Sequence, residues 1–261
     1  MSEADGSSAL STPATRGGIL TQLGLAASFL TIIPTLNNRP RPPEAVAASF
    51  RWFPLIGFAI GALLCLEDSA ASRFMGPSAR AILAVMTLAV VTGAVHLDGL
   101  ADTADALGAG RDRARALEIM RDSRIGTFGA VALFFLLLLK VSALANAVPE
   151  RRSLALYLAP GLARWAMVMV AERMAYLRCE GAGAELLRQN DQGTLLIASA
   201  IAAAGTLAAS KTLAIRGALT AVAFALLLRA AYRRWLGGVT GDLIGAAGEI
   251  VETAVIIALC T

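Results

Sequence analysis

The 261-residue chain is 57% hydrophobic and 16% charged, with a mean hydropathy of +0.66 and a net charge of +4. Soluble domains carry about 45–50% apolar and about 25% charged residues, so an ordinary soluble domain is excluded and several membrane spans are indicated. Aromatics make up only 6%, and the basic excess lies near span ends, which argues against a nucleic-acid surface and for an orientation signal at a lipid bilayer.

The first 18 residues, MSEADGSSALSTPATRGG, carry acids where a signal peptide needs a basic start. They are expected to form a disordered polar tail, and residues 19–261 a single integral membrane domain. Apolar runs follow at 19–36, 52–67, 78–97, 125–148, 154–176, 193–210, 212–231 and 243–260. The expected class is all-α, a polytopic transmembrane helix bundle of about seven or eight helices. The first run ends in FLTIIPTLNNRPRPP and suits a re-entrant or interfacial helix as well as a crossing. Cys65, Cys179 and Cys260 are scattered, form no CxxC pair and read as small apolar residues.

The third run leads directly into HLDGLADTADAL, residues 96–107. On a helix Asp98, Asp102 and Asp105 fall within an arc of roughly 60°. Three carboxylates on one stripe repel one another unless a cation lies between them, and Mg²⁺ takes oxygen ligands of this kind. A solvated polar face is the alternative. His96, the only histidine, suits proton transfer, metal ligation or a plain structural role.

The next segment, RDRARALEIMRDSRIGTFGA, is basic and amphipathic. Arg113, Arg121 and Arg124 suit a diphosphate, because a guanidinium bonds two oxygens at once. Leu117 and Met120 suit a helix lying on the membrane. Asp122, beside Ser123 and Gly126, stands at the entrance to the fourth span as a further candidate at the site. Positive-inside anchoring is the alternative reading of the arginines, Arg111 and Arg115 above all.

A second acidic group lies in GGVTGDLIGAAGEIVETAVIIAL. Asp242, Glu249 and Glu252 share roughly 80° of one helix, and carboxylates at membrane depth point to function. Asp242 and Glu249 are candidate metal ligands, and Thr240 and Gly241 candidate substrate contacts. The alternative is a structural pairing with Arg164 or Arg216 inside the bundle. The arginine-rich loop after the third span should be cytoplasmic, and an even number of passes returns YRRWLGGVTGD to the same side. The PERR turn at 149–152 runs against this pattern.

RWFPLIGFAIG at 51–61, HLDGLADTADAL at 96–107, LEIMRDSRIGTFGA at 117–130 and GGVTGDLIGAAGEIVE at 237–252 together resemble the cobalamin synthase family, the adenosylcobinamide-GDP ribazoletransferases. Ala106 departs from the glycine usual there. The resemblance implies a multi-pass enzyme of the bacterial inner membrane, and the arginine-rich loops put its site on the cytoplasmic side. It implies that adenosylcobinamide-GDP is joined to α-ribazole or its 5′-phosphate, with release of GMP and dependence on Mg²⁺. Other enzymes of the late cobalamin pathway become candidate partners. Metal would be held by Asp98, Asp102 and Asp105 with Asp122, and a carboxylate or His96 would take the acceptor's proton. Two rivals stand beside this reading. One is a CDP-alcohol phosphatidyltransferase-like phospholipid enzyme, although the Ala-Arg pair of that motif is absent. The other is an ion-coupled transporter using Glu249 and Glu252.

Overall fold

The computed structural model describes residues 18–34, 43–178, 193–209 and 212–261; the expected N-terminal tail up to residue 17 and Cys179 lie outside them. The described chain is helical throughout, apart from its loops and one isolated parallel bridge between Tyr176 and Val239. The helices are α1 (Ile19–Leu30), α2 (Pro43–Ser49), α3 (Phe53–Ala71), α4 (Pro77–Val91), α5 (Val95–Ala106), α6 (Arg113–Ile119), α7 (Thr127–Asn146), α8 (Pro149–Ala171), α9 (Gly193–Ala208), α10 (Thr212–Trp235) and α11 (Gly241–Cys260).

Five stretches are long and apolar enough to cross a membrane: Pro43–Ala71, α7, α8, α10 and α11. The pair α4 and α5, bent by 90°, would make a sixth only if the two count as one span. At 12 residues α1 is shorter than the roughly 20 needed for a crossing; it ends at Leu30, and residues 35–36 of the first run lie outside the described residues. Likewise α9 has only 16 residues.

The bend is the main departure from the expected spans. The run at 78–97 breaks at Thr92-Gly93-Ala94, where Gly93 and Ala94 both have positive φ. Gly93 N donates to Val90 O at 3.0 Å and Ala94 N to Ala89 O at 2.8 Å, the Schellman pattern that ends a helix with a left-handed residue. The acidic helix α5 therefore sets off in a new direction. It packs along the first half of α7 and against the start of α11.

Burial sorts the rest. The spanning window of α8 is 89% buried and that of α11 is 72%, whereas those of α7 and α10 are 22% buried and present Phe134, Phe135, Leu219 and Leu227 outward. A helix apolar all round belongs at the centre, and α8 is sheathed by α3, α9, α10 and α11. Lipid supplies no hydrophobic drive between helices, so close packing holds them. Gly57 and Gly61 form a small-residue stripe on α3. A methyl group at Gly61 would stand 2.3 Å from Tyr157 O, and one at Gly57 would stand 2.4 Å from Pro160 O. Gly61→Ala is thus expected to lower the melting temperature in detergent, although Ala favours helix by about 1 kcal/mol. An unchanged or higher melting temperature would show that α3 and α8 have slack.

At the far end of the bundle Arg152 is 2% exposed. It donates to Leu144 O, Pro77 O and Asp68, which also pairs with Arg80. One of the two arginines of PERR therefore closes the ends of α4 and α7 instead of marking a side of the membrane. Cys65 and Cys260 are free, and Cys65 Sγ lies 3.3 Å from Ser153 O as a donor.

Candidate active site

The other end gathers three loops. Arg113 Nε donates to Trp235 O at 3.1 Å and Trp235 Nε1 to Gly110 O at 3.0 Å. The loop after α5 thus meets the loop before α11. Residues 175–177 join them, with Leu177 N bonded to Val239 O and Val239 N to Ala175 O, each at 2.9 Å. The amphipathic α6 turns Ala116 inward, and Met120 just beyond it is also buried.

Asp98, Asp102 and Asp105 all lie on α5. The backbones of α5 and α11 touch at Gly99, where a methyl group would stand 2.9 Å from Asp242 Cα. This brings Asp98 and Asp102 within electrostatic reach of Asp242. No side-chain hydrogen bond or ion pair engages Asp98 or Asp102 among the described residues, although Asp102 is partly buried. Asp242 Oδ2 accepts from Arg178 Nη2 at 2.5 Å and from Thr240 Oγ1 at 3.3 Å. Thr240, fully buried, caps α11 by accepting from Leu243 N at 3.2 Å, and Gly241 beside it is exposed.

The remaining acids expected at the metal are engaged elsewhere. Asp105 accepts from Gly126 N at 2.7 Å and Gly129 N at 2.9 Å. It caps α7 from a neighbouring helix, satisfying two amides of a helix start that would otherwise lack partners. Asp105→Ala is expected to lower folding stability by about 1–3 kcal/mol, with Asp105→Asn milder because it keeps one acceptor. Equal melting temperatures for Asp105→Ala and wild type would contradict the capping role. Asp122 pairs with Arg124, whose Nη2 donates to Oδ2 at 2.6 Å, and this hydrogen bonding holds its carboxyl down at about 2. Both sit on an exposed loop with Ser123 and Arg121.

Glu249 lies two turns inside α11. Its Oε2 accepts from Lys140 Nζ at 2.6 Å, and Glu252 Oε1 accepts from the same Nζ at 2.5 Å. Glu252 also pairs with Arg164. All four are at most 4% exposed. Of the two structural partners weighed for these glutamates, Arg164 is present and Arg216 is not; Arg216 bonds Thr261 Oγ1 at 3.2 Å. Glu249 is therefore corrected from metal ligand to member of an internal ion network. His96 is buried against Gly245 and within reach of Arg164, Glu252 and Lys140, away from the exposed end. Sequence reasoning missed Lys140 and Arg178.

Among the described residues no three His, Cys, Asp or Glu side chains converge into a metal cage. The donor set suits Mg²⁺ all the same, since that ion usually takes one or two carboxylates plus substrate phosphates. Beside Asp105 an apolar groove of about 440 Å³ runs along α7, lined by Ile125, Thr127, Val131 and Phe134.

Fold and cluster together define a polytopic helical membrane protein with a carboxylate-rich site at one end of its bundle. The chain belongs to the cobalamin-5-phosphate synthase family, whose model matches residues 22–260. It is 38% identical over 235 residues to the adenosylcobinamide-GDP ribazoletransferase of Syntrophobacter fumaroxidans, covering 89% of this chain and 95% of that protein. Identity to the protein of the same name from Stutzerimonas stutzeri is 40% over 238 residues, covering 90% and 96%. For that of Desulforamulus reducens it is 38% over 240 residues, covering 91% and 95%. No solved structure matches.

Proposed function

We propose that the chain joins adenosylcobinamide-GDP to α-ribazole, or to its 5′-phosphate, and releases GMP, forming adenosylcobalamin or its 5′-phosphate. Family membership supports this, and one observation of the site carries it: Asp98 and Asp102 stand without protein partners beside Asp242. The arginine bias of the loops at this end supports a site on the cytoplasmic face of the bacterial inner membrane.

Asp98, Asp102 and Asp242 would hold Mg²⁺, which when bound supplies charge neutralisation for the diphosphate. Arg113 at the start of α6 and Arg121 and Arg124 on the loop after it make this end basic, which favours an anionic donor. The acceptor hydroxyl attacks the phosphorus joined to the cobinamide arm, and the bond from that phosphorus to the GMP oxygen breaks. A carboxylate of the Asp98–Asp102 pair takes the hydroxyl proton; the burial of His96 in the interior disfavours it for that task. Positioning and electrostatics do most of the catalysis.

The test is GMP release by purified protein. Release should require adenosylcobinamide-GDP and α-ribazole together. Release of CMP from a CDP-alcohol donor, with none of GMP, would overturn the reading in favour of the phospholipid rival.

A further inference from the structure

Arg178 is a cation at this end with one donor left unpartnered. Its Nη2 bonds both Asp242 Oδ2, at 2.5 Å, and Met120 O, at 2.9 Å. Its Nε is buried and has no hydrogen-bond partner among the described residues. Both hydrogens of Nη2 are engaged, so an incoming carboxylate or phosphate can take the Nε–Nη2 edge only by displacing one of those partners. The backbone before it is pinned, because residues 175 and 177 are hydrogen-bonded to Val239. The guanidinium is thus delivered to the start of α11 by the fold.

Charge makes the arrangement lopsided. Asp98, Asp102 and Asp242 lie within mutual electrostatic reach, and Arg178 is the cation bonded into that group. Arg124 is taken by Asp122 on the exposed loop, and Arg113 donates to a backbone carbonyl. A diphosphate arriving here meets a fork held by Asp242 and a carboxylate held by that fork.

We propose that Arg178 is a diphosphate-binding residue that exchanges partners: it holds Asp242 in the ligand-free protein and passes to the diphosphate of the donor, which frees Asp242. This rests on the transferase reading for the identity of the donor, but the exchange itself can be tested with inorganic diphosphate alone. With the pair intact, part of the binding free energy is used to break the Arg178–Asp242 contact. Removing Asp242 therefore helps diphosphate more when Arg178 is present than when it is absent.

The experiment is calorimetric titration of detergent-purified full-length protein with inorganic diphosphate, without Mg²⁺, for wild type, Arg178→Gln, Asp242→Asn and the double variant. Arg178→Gln should weaken binding by roughly tenfold or more. Asp242→Asn should tighten it several-fold, and that gain should be clearly smaller in the Arg178→Gln background, a coupling that distinguishes exchange from simple loss of a negative charge. The same gain in both backgrounds, wild-type affinity in Arg178→Gln, or no diphosphate binding by wild type at millimolar concentration would each overturn the proposal. Melting temperatures of the four proteins, measured alongside, identify any variant that has lost its fold; if Arg178→Gln has, Arg178→Lys takes its place with the same expected loss. Failure of GMP release with normal diphosphate coupling would instead count against the donor's identity.

Discussion

Lys140→Met is expected to destabilise the folded protein by about 3–5 kcal/mol, because it strands Glu249 and Glu252 beside a single remaining cation. Lys140 Nζ bonds both carboxylates, and the four side chains of the network are almost completely buried. Removing one partner of such a pair leaves a charge with no compensation, whereas removing charges in matched sets does far less harm. The double variant Lys140→Met/Glu249→Gln keeps the Glu252–Arg164 pair and should recover much of the loss. Thermal unfolding in detergent and the yield of folded protein report both effects. A melting temperature for Lys140→Met equal to wild type would show that the network contributes little. The network ties α7, α8 and α11 together below the site, so its loss should also loosen the meeting of Asp242 with α5.

Asp102→Asn is expected to lower turnover by at least about tenfold, or about 1.4 kcal/mol in the barrier, with the fold intact. Asp102 is partly buried and has no protein partner to lose, so neutralising it removes no structural bond. Asp98→Asn should behave in the same way. Asp105→Asn should differ, with its effect appearing in stability as well, because Asp105 is bonded to the start of α7. If Asp98→Asn and Asp102→Asn both turned over at wild-type rates, the unpartnered carboxylates would have no part in the reaction.

Hydropathy made most of the spans legible, since α7, α8, α10 and α11 follow apolar runs that a bilayer requires. It concealed the break at Thr92-Gly93-Ala94, where the run stays apolar while the backbone turns. The Gly after Thr92 is a helix-stop signal that hydropathy does not weigh. The stripe of Asp98, Asp102 and Asp105 was also legible, because periodicity alone sets it. What distinguishes these three residues was not legible: Asp105 meets Gly126 and Gly129 only once α7 packs beside α5. Glu249 shows the same limit, since its partner Lys140 lies 109 positions away. Lys140 did carry a signal of its own, being a lone cation in LFFLLLLKVSALAN, and such a residue calls for a buried partner. Arg178 carried none; its position follows from the pairing of residues 175–177 with Val239.

The most direct test of the cation-binding role of Asp98, Asp102 and Asp242 is a Mg²⁺ titration of GMP release, run with wild type, Asp102→Asn and Glu249→Gln. Wild type should release GMP only when Mg²⁺ is restored after chelation. Asp102→Asn should need more Mg²⁺ for its half-maximal rate, and Glu249→Gln, whose carboxylate is held by Lys140, should need the same amount as wild type per folded molecule. Full release in the presence of chelator, or an unchanged Mg²⁺ requirement in Asp102→Asn, would contradict a metal held at this end of the bundle.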